Sequence, residues 1–178
     1  NTLPAARRAG IVDELSGLPL FEVLETAADS GAFLAVDATE PQPFASSAFA
    51  VLRDAPTVVT EGMRMAATAI NAVGCHIAFC PVNREMMAAL AGKYENGDLY
   101  CVKRQYPVIA LADGDVPTVS IGVQATAALY EAIHADTVPA AVVVTVAGDA
   151  VETPQNVRGR CLPPAARARM PCWSRGTP

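Results

Sequence analysis

Apolar and polar residues along the chain follow two patterns, one with helical spacing and one made of short apolar runs. Apolar residues recur every three or four positions from Val58 to Val73, after Asp54-Ala55-Pro56 and before Gly74. Asp favours the N-cap, Pro fits the first helical turn, and Gly commonly follows a helix end. The spacing therefore predicts a helix that begins near Pro56, ends before Gly74, and buries Met63 and Ile70.

Short apolar runs alternate with further helical stretches. Strands are predicted at 32–36, 75–80, 98–103, 118–123 and 140–146. Further helices are predicted from about Ala48, over 84–91 and over 124–135. Asn83 is the predicted cap of the helix over 84–91, and Gly92 is its predicted closing residue. Such alternation favours parallel strands joined by helical crossovers. The sequence therefore predicts an α/β fold with a mainly parallel sheet flanked by helices, similar to a Rossmann domain.

The pattern changes near residue 141. The segment 142–156, VVVTVAGDAVETPQN, is a β-branched run that breaks at Ala147-Gly148-Asp149, resumes briefly and ends in a Pro-Gln-Asn turn. This arrangement is typical of a hairpin and has no helical period. We therefore divide the chain into an α/β domain over 1–140, the start of a small β-rich module over 141–158, and an atypical basic tail over 159–178.

Charge is distributed unevenly along the chain. Residues 1–157 hold 8 basic and 18 acidic residues, whereas 158–178 hold five arginines and no acid. A domain this acidic is poorly suited to a nucleic-acid backbone, so no nucleic-acid partner is expected. No apolar run approaches the ~20 residues that a bilayer span needs, and the N-terminus lacks the apolar core of a signal peptide, so we expect no direct membrane insertion.

The residues most often used in catalysis and metal binding show no recognisable motif. The histidines lie in a predicted strand and near a helix end, which favours structural roles, and the segment 112–115, ADGD, has the composition of a turn. The five cysteines lack the close spacing of metal or iron–sulfur ligands. Three of them lie in apolar strand runs, which predicts buried, reduced thiols and a cytoplasmic location. These three cysteines and the two histidines are Cys75, Cys80, Cys101, His76 and His134.

A polar segment follows the first predicted strand. Residues 36–44, VDATEPQPF, supply Asp37, Thr39, Glu40 and Gln42. Ligands of open α/β sheets collect beyond the carboxyl ends of the strands, where such side chains can bond a ribityl chain or a flavin ring edge. The alternative is a plain connection between elements.

Several segments occur together in the order found in a known family. They are AGIVDELSGLPL, VDATEPQPFASSAFAVLRDAPTVVTEGMRMAA, RQYP, TAALYEAI and VVVTVAGDAVETPQNVR. Over roughly residues 8 to 158 the chain resembles the C subunit of the Rnf electron-transport complex, which is related to the NADH-oxidising flavoprotein subunit of respiratory complex I. The resemblance implies that the hairpin leads into a β-grasp module of the soluble-ligand-binding (SLBB) type.

The resemblance also implies a cofactor site. In the family, FMN and NADH bind through a glycine-rich loop and an acidic loop, which places Gly10, Asp37, Glu40 and Gln42 in the site. The glycine-rich loop would fall at residues 9–12, where Gly10 is the only glycine. Near Gly122 the family has an asparagine that this chain lacks. A phosphate cradle needs several approachable N–H groups, so these departures predict weak or absent FMN binding.

The resemblance leads to two functional interpretations. The first is a domain of an NADH-linked electron-transfer subunit with a degenerate flavin site, whose partners are other subunits of a membrane-associated complex at the inner, cytoplasmic face. The second is a non-catalytic docking module that has lost FMN. A cytosolic regulatory domain for another small ligand is a third possibility. No side chain is predicted to be an acid–base catalyst, no iron–sulfur ligand set is expected, and the tail is either a divergent linker or the product of a reading-frame slip.

Overall fold

The computed structural model describes residues 2–39, 47–81, 84–102 and 116–134, together with the backbone of 142–146 and 155–159. The elements, in chain order, are α1 (Thr2–Ala9), α2 (Leu20–Ala27), β1 (Phe33–Ala38), α3 (Ser47–Asp54), α4 (Pro56–Ile70), β2 (Gly74–Phe79), α5 (Arg84–Leu90), β3 (Leu99–Cys101), β4 (Thr118–Gly122), α6 (Val123–His134), β5 (Val142–Val146) and β6 (Gln155–Gly159). None of the helices in these ranges is long and apolar enough to span a bilayer.

Four strands form one parallel sheet in the order β3-β2-β1-β4. The sheet and its flanking helices confirm the predicted α/β fold. The central strand β1 pairs with β2 on one side and with β4 on the other. Leu34, Ala35 and Val36 are all buried, so both faces of β1 are covered. A continuous apolar run is expected for a parallel strand in this position.

Helix α4 carries the predicted apolar stripe, and its buried side chains include Val59, Met63, Ala66 and Ile70. The helix packs against β1, β2 and α6. At Gly62 the α4 backbone comes so close to α6 that a Cβ would overlap the Thr126 carbonyl. The absence of a side chain at this position therefore sets the spacing between the two helices.

The predicted start of α4 at Pro56 is confirmed, but the predicted cap and the predicted extension of the helix to Val73 were wrong. Asp54 is the last residue of α3, where its carboxylate pairs with Arg53, and the N-cap of α4 is Ala55, without a side-chain hydrogen bond. At the other end, Asn71 takes the left-handed conformation (φ 53°) and stops the helix after Ile70. Asn tolerates this conformation through its short polar side chain. Val73 therefore lies outside the stripe and is 66% exposed.

Two helices near the N-terminus were not predicted from the sequence. Helix α2 buries Leu20, Leu24 and Ala27, which share one helical face. Helix α1 is short and buries only Ala5 and Ala6 among its residues. Its sequence, TLPAARRA, contains a single large apolar residue, so no apolar period is visible in it. Packing of α1 against α2, α4 and α6 stabilises it instead.

The strand predicted at 140–146 does not join the parallel sheet. Its counterpart β5 pairs antiparallel with β6, with Val142 opposite Gly159 and Val146 opposite Gln155. These two strands form an antiparallel sheet of their own, as a hairpin requires, but the second strand begins at Gln155, within the predicted Pro-Gln-Asn turn, so the predicted position of that turn was wrong. The division at residue 141, the β-grasp assignment and the character of the tail remain predictions.

The cysteines and histidines occupy mixed environments. Cys80 is buried and Cys75 half-buried, whereas Cys101 is exposed on the edge strand β3, so its predicted burial was wrong. His76 lies in β2, where its ring stacks on Tyr100 and contacts Phe33 in a tilted arrangement. His134 ends α6, where its ring lies 3.2 Å from the Tyr130 carbonyl oxygen. Gly92 closes α5 with a φ of 73° as predicted, and Asn83 lies outside the described residues.

Truncating the buried stripe of α4 should destabilise the fold. Met63→Ala and Ile70→Ala each remove a side chain with no exposed area, so each should lower the free energy of unfolding by ~2–5 kcal/mol. Thr57→Ala, at an exposed position of the same helix, is the matched control. Urea unfolding measures all three, and losses below ~1 kcal/mol for both buried positions would contradict the assigned helix face.

Candidate functional site at the carboxyl edge of the sheet

The carboxyl ends of the parallel strands meet at one edge of the sheet. Strand β1 ends at Ala38, and β4 ends at Gly122 and continues directly into α6 at Val123. Asp37 of β1 is the register partner of Gly122. The edge therefore brings the end of the first strand close to the N-terminus of a helix, which is where open α/β sheets bind their ligands.

The first strand ends two residues later than predicted, so the polar segment also begins later. Asp37 belongs to β1, because the strand runs to Ala38 rather than ending at residue 36. Its Oδ1 atom accepts hydrogen bonds from the Thr39 N–H (2.8 Å) and the Thr39 hydroxyl (2.7 Å). Asp37 thus stabilises the turn that leaves the strand. Glu40 and Gln42 lie outside the described residues, and their places in a site remain predictions.

Gly10 ends helix α1. Its φ is 62°, its N–H donates to the Arg7 carbonyl, and the Ile11 N–H donates to the Ala6 carbonyl. This pair of bonds is the Schellman arrangement, in which a glycine accepts the left-handed conformation after a helix. The left-handed backbone explains the glycine without a cofactor, and its predicted contact with FMN remains a prediction.

Between α1 and α2 lies a tight turn, residues 11–19, which we call the acidic loop. Its ends are joined by a bridge between Val12 and Pro19. Inside it, the Asp13 N–H donates to the Leu18 carbonyl (2.9 Å), and the Gly17 N–H donates to the Asp13 carbonyl (2.8 Å). The backbone of the loop therefore satisfies much of its own hydrogen bonding.

Asp13 bonds the acidic loop to the sheet. The residue is fully buried, and its Oδ1 atom accepts a 2.7 Å hydrogen bond from the Gly122 N–H at the end of β4. Its Oδ2 atom accepts bonds from the Ser16 N–H (2.9 Å) and hydroxyl (2.6 Å). A buried carboxylate needs such partners to offset the loss of water. One side chain therefore holds both the turn and its attachment to the edge.

Glu14 covers the N-terminus of α6. Its Oε1 atom accepts a 2.6 Å hydrogen bond from the Gln124 N–H, and its Oε2 atom accepts a 2.9 Å bond from the Ala125 N–H. The first N–H groups of a helix have no partner within the helix, and they favour negative charge. The carboxylate of Glu14 thus takes the position that an anionic ligand would take at such a helix end.

Glycine at position 122 makes room for this contact. A Cβ placed on Gly122 would overlap the carboxyl carbon and both carboxyl oxygens of Glu14. The φ of Gly122 does not fall in the left-handed region, so backbone conformation does not require glycine here. Space for the Glu14 carboxyl group does require it.

Burial raises the pKa of Glu14 above its usual range. Loss of water around the carboxyl group is the main cause, hydrogen bonds from the Gln124 and Ala125 N–H groups act in the opposite direction, and the nearby Asp13 carboxylate adds a smaller upward shift. The residue as a whole is exposed, while its carboxyl end is enclosed by the loop and α6. Burial therefore makes the charged form of Glu14 less favourable than it is in water, mainly because of desolvation.

The acidic loop turns its apolar side chains outward. Val12 is 57% exposed, Leu15 44% and Leu18 52%, while the flanking Ile11 and Leu20 are buried. Burial of apolar surface between its anchored ends contributes little to the position of the loop. The hydrogen bonds of Asp13 and Glu14 are therefore what fix the middle of the loop against the sheet edge.

Neither acid was predicted from the sequence. The resemblance directs attention in this region to the glycines of a phosphate cradle, and acidic residues in a loop are usually solvated. The available signal was the pattern IVDELSGL, in which adjacent acids lie between apolar residues in a short loop. Nothing in that pattern reveals the N–H groups they bind, because Gly122, Gln124 and Ala125 are more than a hundred residues away. Across the described ranges, no three His, Cys, Asp or Glu side chains are grouped to hold a metal ion.

Removing the buried carboxylate of Asp13 should destabilise the attachment of the acidic loop to the sheet edge. Asp13→Ala leaves the Gly122 N–H buried without its acceptor, which should lower the free energy of unfolding by ~1–3 kcal/mol. Ser16→Ala removes only a hydroxyl from the exposed side of the loop and should cost less than ~1 kcal/mol. Urea unfolding compares the two variants, and equal losses would show that Asp13 does not anchor the loop.

Comparison with known proteins gives similarity at the level of fold. No model of a protein family matches the sequence, and no curated protein matches it. Among solved structures, a chain of the NAD+-reducing NiFe-hydrogenase in the H2-reduced state matches 74% of this chain at 18% identity, with a TM-score of 0.58. The air-oxidized state of an NAD+-reducing NiFe-hydrogenase matches 75% at 17% identity, with a TM-score of 0.55.

In both cases the matched region covers only 30% of the hydrogenase chain. The present chain therefore spans less than a third of the length of the hydrogenase chains that it matches. At identities below one fifth, the similarity establishes a shared arrangement of helices and strands and leaves the activity to be argued from the site.

Proposed function

We propose that the chain is a domain of an NADH-linked electron-transfer subunit in which the FMN site has degenerated. Two lines support this: the segments that resemble the Rnf C subunit, and a fold shared with a chain of an NAD+-reducing hydrogenase. The observation that carries the proposal is the Glu14 carboxylate on the Gln124 and Ala125 N–H groups. It occupies a helix N-terminus, which favours negative charge and could otherwise bind an anion.

The described residues do not fit the phosphate group of FMN at this edge. A phosphate monoester carries about −1.5 to −2 charges near neutral pH and needs several N–H donors. Here the N–H groups of Gly122, Gln124 and Ala125 already donate to carboxylates of the chain itself. Asp37, the register partner of Gly122, adds a third carboxylate nearby. Both the donors and the charge at this edge oppose a bound phosphate.

In this proposal the domain belongs to a subunit of a larger electron-transfer assembly. Its partners are other subunits of a membrane-associated electron-transfer complex, and its location is the cytoplasmic side of the inner membrane. Resemblance to Rnf C supports this assignment.

A non-catalytic docking module is the second candidate. The exposed apolar side chains of Val12, Leu15 and Leu18 in the acidic loop favour it, because exposed apolar side chains are available to a partner protein. The two candidates differ in whether any flavin affinity remains. Binding measurements on the purified chain separate them.

FMN should bind this chain weakly or not at all. With the α6 N–H groups taken by Glu14, fluorescence titration should give a Kd no tighter than about 10 μM, equivalent to roughly −7 kcal/mol. Residual binding in the range from about 10 μM to about 1 mM favours the degenerate electron-transfer domain, and no detectable binding favours the docking module.

Tight FMN in the purified protein would contradict the proposal. Glu40→Ala would then be the informative variant, because loss of flavin on this substitution would place Glu40 in the site. Glu22→Ala, an exposed glutamate in the first turn of α2, provides the control for the change of charge.

A further inference from the structure

We propose that Glu14 is an internal ligand of this domain and the residue that excludes phosphate-bearing molecules from the sheet edge. The inference rests on the proposed function and names the cause of the degenerate site. The closed position consists of the Glu14 carboxylate, two N–H groups of α6 and the space beside Gly122. A phosphate group is the chemical class that Glu14 replaces.

The donors at the start of α6 are already used. Each oxygen of the Glu14 carboxylate accepts one N–H, from Gln124 at 2.6 Å and from Ala125 at 2.9 Å. Both distances are typical of charge-assisted hydrogen bonds. An external anion that approaches the same helix end must first displace this carboxylate, because both N–H groups point to it.

The Glu14 carboxyl group also fills the space beside Gly122 that an external anion would need. The Glu14 carboxyl group lies where the smallest possible side chain at position 122 would lie. Glycine at a strand end beside a helix N-terminus normally lets a ligand approach the backbone closely. In this chain the Glu14 carboxyl group, rather than a ligand, lies against the backbone at Gly122.

The acidic loop has a second anchor that does not depend on Glu14. Asp13 is buried and bonded to the Gly122 N–H and to Ser16. Removing the Glu14 side chain therefore leaves the loop attached while freeing the two N–H groups of α6. We infer that shortening this one side chain converts a closed edge into an anion site.

Inorganic phosphate is the probe for this inference. Isothermal titration with the full chain should detect no phosphate binding by the wild type up to about 10 mM, whereas Glu14→Ala should bind at least about tenfold more tightly than that limit. Glu22→Ala removes the same charge from an exposed site and should behave like the wild type. No gain in Glu14→Ala, or an equal gain in Glu22→Ala, would overturn the inference.

A second substitution tests the position of the new site. Gly122→Ala in the Glu14→Ala background places a methyl group where the carboxyl group lay and should abolish the gained binding. Retained binding in this double variant would show that phosphate binds elsewhere and would also overturn the inference. If Glu14→Ala does not fold, as judged by circular dichroism, Glu14→Ser is used, because its short side chain frees the same two N–H groups and the same space beside Gly122 and should give a similar gain.

The inference and the proposed function fail in different ways. Tight FMN binding by the wild type contradicts the proposed function, whatever the variants do. A wild type without FMN affinity, combined with no phosphate gain in Glu14→Ala, contradicts only the role of Glu14. The two results come from separate titrations of the same preparations.

Discussion

Hydrogen bonds from three backbone N–H groups to two adjacent carboxylates determine what the sheet edge can do. Strand β4 passes directly into α6, so the N–H groups of Gly122, Gln124 and Ala125 lie at the edge with no partner inside their own elements. Asp13 and Glu14 supply the acceptors from the acidic loop. The parallel sheet and the helix dipole create an anion position, and the chain fills it with its own acids.

This arrangement links the fold to the proposed function. Parallel sheets that end at helix N-termini are suited to phosphate-bearing cofactors, and this chain shares its fold with a chain of an NAD+-reducing hydrogenase. In this chain the N–H donors at the edge are satisfied internally by Asp13 and Glu14. In the proposed function, this internal pairing is the cause of the degenerate FMN site.

The parts of the fold that could be predicted from the sequence are those governed by apolar periodicity. Buried runs indicated the strands of the parallel sheet, and the stripe containing Met63 and Ile70 indicated α4. Errors arose where a single local interaction determines how a helix is capped. Asp54, for example, pairs with Arg53 instead of capping α4. The site was harder, because the glutamate that closes it binds N–H groups about 110 residues away, and contacts at that separation leave no periodic trace. Gly10 is conspicuous in the sequence for a different reason, since it ends α1.

The contact between Glu14 and α6 can be measured directly by following backbone amide resonances during a pH titration. Because burial raises the pKa of Glu14 from its ordinary 4.5, the Gln124 and Ala125 N–H signals should shift together with a midpoint above that value. In Glu14→Gln this transition should disappear from both signals. Amide signals that do not respond to pH, or that titrate equally in the variant, would show that Glu14 does not occupy the helix end and would contradict the account.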